Sequence, residues 1–282
     1  MSDEISMFLD MPASEYHADK NVVGHSGLVS MLTTPKSYHY ELTRGRVATP
    51  AMEFGTLFHL RVLEPDLFKS QAVVKPKFDL RTKEGKSANA AWESENKGKM
   101  AIAEADKEAV EGMLDSINEH DECALYLANS YKEKSYFWVD EDTGIQCRIR
   151  LDMLVFDENG RIVKICDLKK TLNASKPKFR REIGDRGYDL QAAFYSDAVS
   201  RLLGRRIPFF FIAVEATAPY NIAIYEAGDI TLETGRQKYR NALQLLEWCR
   251  KNDRWPSYQP YGESEKIEIT EWQSRSVFEY EE

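Results

Sequence analysis

Between Arg148 and Lys170 the chain reads RIRLDMLVFDENGRIVKICDLKK, two apolar, strand-like runs around Asn159-Gly160. Asn-Gly between such runs is a strong short-range hairpin signal. A two-residue turn pairs Glu158 with Arg161, and every later pair keeps that register. Phe156 then faces Val163, Leu154 faces Ile165, and Asp152 faces Asp167. Residues two apart share a strand face, so Lys169 lies beside Asp167 and Arg150 lies across from Lys169. Carboxylates directly opposite one another repel and weaken a sheet, and a cation between them relieves this. Two acids with a neighbouring ammonium are the equipment of divalent-metal phosphodiester chemistry. The shared face passes from apolar residues near the turn to charged ones away from it, which predicts a solvated site at the rim of a sheet. A four-residue turn would make the aspartates diagonal neighbours, still within side-chain reach.

The preceding stretch, EKSYFWVDEDTGIQCRIRLD, predicts another strand and turn. A four-residue loop there pairs Asp140 with Ile145 and sets Glu133 opposite Asp152, making Glu133 a candidate third acid.

Bulk properties narrow the class. The length of 282 residues suffices for a large core. Cys123, Cys147, Cys166 and Cys249 form no CxxC pair, which argues against zinc and iron–sulfur sites and fits reduced thiols in the cytoplasm. No apolar run reaches membrane-spanning length, and the first residues lack a signal-peptide pattern. The net charge of -8 argues against general nucleic-acid affinity, but residues 161–206 hold twelve basic and five acidic side chains. That segment is either a solvated surface or an electrostatic footprint for phosphates. Its candidate contacts are Lys170, Lys176, Lys178, Arg180 and Arg181.

The pattern predicts helices over much of 25–70, a mobile Lys-rich surface segment at 79–100, and a helix from Ala101 to His120. Strands follow, then a helix from Tyr188 to Leu203 closed by Gly204, a buried strand in IPFFFIAVEA with YNIAIYEA as hairpin partner, and a helix from Thr231 to Lys251. The fold class is α/β, a mixed sheet flanked by helices with an N-terminal helical segment. One domain is expected over 1–282: a mainly helical segment to 125 carrying His59, a catalytic core over 126–262, and an acidic tail over 263–282.

His59 lies in EFGTLFHLRVL, where a lone histidine is ordinarily a core residue, although imidazole also binds metals. Gln191 and Tyr195, one helical turn apart, share a face with Tyr188. They either pack the helix or reach a phosphate or base.

In order, FGTLFHL, LD, ICDLKK and DLQAAFY resemble the RecB-like branch of the PD-(D/E)XK nuclease superfamily. With SGLVSMLTTPKSYHYEL, RVLEPDLF and RTKEGK, the chain resembles RecE-like (exonuclease VIII) nuclease domains over roughly residues 15–260. The resemblance implies a PD-(D/E)XK-type sheet. It implies that His59, Asp152, Asp167 and the Leu168 carbonyl hold Mg²⁺, with Mn²⁺ as a substitute. Lys169 would act on the attacking water and the phosphate, and Gln191 and Tyr195 would orient the site or the DNA. The implied activity is 5′ to 3′ exonucleolytic degradation of linear double-stranded DNA in recombination or end resection, in a phage or prophage setting. The implied assembly is a ring-shaped homo-oligomer, a tetramer, working with a RecT-type annealing protein. A structure-specific endonuclease and a non-cleaving module that binds DNA ends are the alternatives.

Overall fold

The computed structural model describes residues 3–259 and 262–271, so the end of the expected acidic tail, 272–282, lies outside the described residues. A 3₁₀ turn (Asp3–Met7), β1 (Leu9–Asp10) and α1 (Ala13–Tyr16) lead into α2 (His25–Thr33), α3 (Pro35–Arg44), α4 (Pro50–Leu63) and α5 (Pro65–Gln71). Two of these helices start where their sequences dictate. Thr34 and Thr49 accept from backbone N–H groups three residues on, and a proline follows each. Next come β2 (Ala72–Val74), α6 (Lys83–Glu95), β3 (Met100–Ile102), α7 (Glu104–Glu119) and α8 (Asp121–Ala128). The segment expected to be mobile at 79–100 is instead mostly the helix α6, capped by Thr82 and tied at its base by the parallel pair β2–β3. It buries none of its residues, which is why its sequence reads as surface.

The sheet is built from β4 (Ser130–Val139), β5 (Gln146–Phe156), β6 (Ile162–Thr171), β7 (Phe209–Glu215) and β8 (Ile222–Glu226). Its order is β1-β4-β5-β6-β7-β8, and only β6–β7 is parallel. The crossover between those two contains α9 (Lys176–Asp185) and α10 (Tyr188–Leu203); α11 (Asp229–Asn252) follows the last strand. Two apolar clusters lie on opposite faces. One holds Leu28, Leu190, Phe194, Phe211 and Leu243; the other holds Phe58, Met113, Met153, Leu168 and Ile212. In β7 the alternation is strict, with Phe209, Phe211 and Ala213 facing one cluster and Ile212 and Val214 the other. All four cysteines are buried and free. Among the described residues, no helix is long and apolar enough to cross a membrane.

The central hairpin departs from the expected turn. Asp157 N–H donates to the Arg161 carbonyl, enclosing a three-residue loop in which Gly160 has φ 75°. That is the turn-plus-bulge hairpin, whose left-handed position favours glycine. Phe156 therefore pairs with Ile162, not Val163. A register shift between Val155 and Phe156 then restores the expected alignment, with Val155–Lys164, Leu154–Ile165 and Met153–Cys166 paired. The two departures cancel, and Asp152 and Asp167 fall one step beyond the last of these pairs. There the ladder stops. β5 continues against β4 while β6 continues against β7, so the sheet divides at the position of the two aspartates.

Candidate active site

Several pieces of this arrangement place the site residues. At the division, Asp152 Oδ2 accepts the Leu168 N–H at 2.8 Å, replacing the missing ladder bond. On the other side of β5, Asp140–Ile145 and Ser135–Arg150 share one register, which sets Glu133 opposite Asp152. Glu133 itself leaves the ladder and adopts φ 56°. Such a backbone is costly for a non-glycine residue and is often found at functional sites. α4 brings His59 from one face of the sheet. Its Nε2–H donates to the Leu168 carbonyl at 3.1 Å, and its Nδ1 lies 3.4 Å from Asp152 Oδ2. The ligand atoms of His59, Glu133 and Asp152 all lie within 4.8 Å of one another.

Asp167 sits beside this group but faces different partners. Gln191 Nε2 on α10 donates to its Oδ1 at 2.6 Å, and its Oδ2 forms an ion pair with Lys169. Tyr195 follows one turn along α10 and lines the adjoining cleft. The fold therefore gathers these side chains into two adjoining groups, His59, Glu133 and Asp152 in one and Asp167, Lys169 and Gln191 in the other.

The expectation of a solvated rim is wrong. Asp152, Asp167, Gln191 and Tyr195 are 8%, 2%, 7% and 7% exposed. Helices from both faces roof the rim, which a strand-by-strand reading cannot show. Access is through a cleft of about 760 Å³, lined by His59, Glu133, Asp152 and Tyr195 together with Lys20, His25, Arg46, Arg148 and Arg150. Arg150 does not face Lys169 as expected. Its guanidinium pairs with Glu133, donates to the Met11 carbonyl at 2.9 Å, and lies 3.7 Å from Glu64.

Crowded charges set the ionisation here. Burial alone would make His59 neutral, but Asp152 beside it raises its pKa to about 9. Burial and Asp152 push Glu133 up to about 7, against the pull of Arg150. Burial raises Asp167 to about 6, with Lys169 opposing and Asp152 adding. Burial also opposes ionisation of Asp152, yet His59 and Lys169 hold it below the usual carboxylate value. Such opposed shifts in one cleft are typical of reactive sites.

This donor set fits a divalent cation. Carboxylate and carbonyl oxygens suit Mg²⁺, and an imidazole nitrogen is better tolerated by Mn²⁺. The expected nucleic-acid contacts are on β6 and α9. Lys176, Lys178, Arg180 and Arg181 are exposed on α9, directly after the Lys169 strand. Lys170 points over the Phe54 ring at 5.7 Å. Sequence reasoning assigned no role to Arg150, and none to Tyr188, whose ring lies 4.6 Å from Lys169 Nζ. The spacing Arg148-x-Arg150-x-Asp152 was the available signal for Arg150.

The model of the PDDEXK-like domain of unknown function (DUF3799) matches residues 24–271. Among solved structures, that of a "putative exonuclease" from Eubacterium rectale is similar, with a TM-score of 0.60 at 17% identity. The match covers 94% of this chain and 98% of that one. At such identity the likeness is one of fold. No curated protein matches the chain. The family match spans both strands of the divided sheet and the helices that roof it, and the chain belongs to the PDDEXK-like domain family DUF3799.

Proposed function

We propose that this chain is a divalent-metal-dependent deoxyribonuclease, and that it acts as a RecE-like exonuclease on ends of linear double-stranded DNA. The observation that carries the reading is the convergence of His59, Glu133 and Asp152, from three separate elements, beside the Asp167–Lys169 pair. His59, Glu133 and Asp152 would hold the ion, with Asp167 and the Leu168 carbonyl alongside. A bound Mg²⁺ or Mn²⁺ supplies Lewis acidity toward the phosphate and lowers the pKa of a bound water. The protein's own groups do the rest. Lys169 offsets the negative charge that develops on the phosphate oxygens, in a buried setting where one charge counts for more than in water. Gln191 fixes Asp167 by holding one of its oxygens, and Arg150 fixes Glu133. Burial limits competing water around these groups.

The 5′ to 3′ polarity, the recombination setting and the RecT-type partner follow from the RecE-like motifs alone. The fold of the Eubacterium rectale protein agrees with an exonuclease reading. The test is incubation with end-labelled linear duplex and covalently closed circular DNA, with and without Mg²⁺. Metal-dependent loss of the linear form, with circles spared, is the expected result. Cutting of circles would favour the endonuclease, and binding without cutting would favour the end-binding module.

A further inference from the structure

Lys169 is held by two contacts of different kinds. One is the ion pair with Asp167. The other is the face of the Tyr188 ring, with Nζ 4.6 Å from the centroid. Resting on the nuclease reading, we infer that Tyr188 is a positioning residue that fixes the Lys169 ammonium through its ring face.

The reason lies in what Asp167 is asked to do. A lysine carries its charge on a flexible four-carbon stem. If its only anchor were a carboxylate beside a cation site, any cation that drew on Asp167 would weaken the hold on Lys169. An aromatic ring attracts the ammonium through its quadrupole and offers a cation site no strong ligand. It therefore keeps the lysine in place without competing for the ion.

The fold prepares the ring for this. Tyr188 is the first residue of α10, directly after Gly187, whose carbonyl is bonded to the His25 ring at 3.0 Å. The tyrosine ring packs against Phe179 and Phe211, each with centroids 6.3 Å away. Gln191, three residues on and on the same helix face, bonds Asp167. The first turn of α10 thus holds both members of the Asp167–Lys169 pair, one by a hydrogen bond and one by a ring.

The test replaces Tyr188 by phenylalanine and then by mono-, di- and trifluorinated phenylalanines. These keep the shape but progressively remove the negative potential of the ring face. Single-turnover cleavage of linear duplex with Mg²⁺ is measured, alongside DNA affinity, the Mg²⁺ titration and the melting temperature. Tyr188→Phe, which keeps the ring face, is the reference against which the fluorinated rings are read. The fluorinated series should lower it stepwise, by about tenfold at trifluorination, as a desolvated cation–π attraction is removed. DNA binding and metal dependence should not move and melting should fall only by the small cation–π contribution, whereas a ring with a merely structural role would leave the cleavage rate unchanged along the series. A flat series in an active enzyme overturns the inference. Wild-type protein that does not cleave overturns the nuclease reading, and this role with it.

Discussion

Asp167 divides its two oxygens between a neutral donor and a charged one, and the site depends on both. Lys169→Met keeps much of the stem volume but removes the charge. We expect its cleavage rate to fall at least about 10²-fold, the usual cost of deleting a group that stabilises a developing oxyanion. Its melting temperature should also drop, because a carboxylate that is 2% exposed loses its counterion. Rapid-quench kinetics and a thermal melt check the two effects separately. A second buried acid lies outside the site. Asp140 is 3% exposed and bonded by Arg240 and Thr143. Burial pushes its pKa up, but the Arg240 and Thr143 hydrogen bonds outweigh that and leave it below the usual carboxylate value. A depressed folded pKa contributes stability above the unfolded pKa, and that stability is lost as pH falls through the folded value. Arg240→Ala should therefore destabilise the fold at pH 7, by roughly 1–3 kcal/mol because Thr143 still bonds Asp140 and solvent screens part of the pair. The difference from wild type should shrink as the pH is taken below the ordinary carboxylate range. Urea unfolding at neutral and acid pH is the measurement; an undiminished difference in acid would show that Arg240 acts by packing alone.

At the scale of elements, the site depends on how closely α10 lies against its neighbours. A Cβ on Gly235 of α11 would stand 1.9 Å from the Asp189 carbonyl of α10. Gly235→Ala must therefore push the two helices apart, at a cost of roughly 1–3 kcal/mol or more. Because α10 carries Tyr188, Gln191 and Tyr195, cleavage should fall along with stability. Gly184→Ala in α9 is the control, since its Cβ meets nothing within 4 Å. Alanine there should leave activity intact and stabilise the helix by up to about 1 kcal/mol. Calorimetry on the two variants decides, and equal melting temperatures would mean that the α10–α11 packing yields more readily than its geometry implies.

At the scale of the whole molecule, charge is unevenly spread. α9 presents Lys176, Lys178, Arg180 and Arg181 to solvent in a chain of net charge -8. Reversing these four to glutamate should weaken DNA binding and flatten its salt dependence, by about 0.9 in the log–log slope for each phosphate no longer neutralised. An unchanged slope moves the footprint elsewhere, with Lys83, Lys86, Lys97 and Lys99 near α6 as the next candidates. A ring-shaped homo-oligomer would supply processivity that an acidic single chain lacks, because cyclic symmetry can close around a duplex. Light scattering should give a tetramer at working concentration. A monomer that also nicks closed circles would remove the basis for the ring.

Much of this site was legible in the chain because strands obey a two-residue rule. Period-two spacing linked Asp167 to Lys169, and the turn residues at Asn159-Gly160 and Asp142–Gly144 set registers that carried Glu133 and Asp167 to Asp152. The alignment of the aspartates survived a misread turn only because a bulge elsewhere in the hairpin compensates for it. Nothing local marks this shift between Val155 and Phe156, since neither is the glycine that commonly signals a bulge. The same is true of burial. From sequence the acids sat on a strand rim; in the fold, helices arriving from distant parts of the chain cover them, and only tertiary packing decides which helix covers which edge. Arg150 and Tyr188 found their partners for the same reason. Each is an ordinary residue locally, and its role depends on a carboxylate or an ammonium delivered from another element. Local chemistry thus determined which groups could gather at one place, and long-range packing decided how dry they are and what holds them.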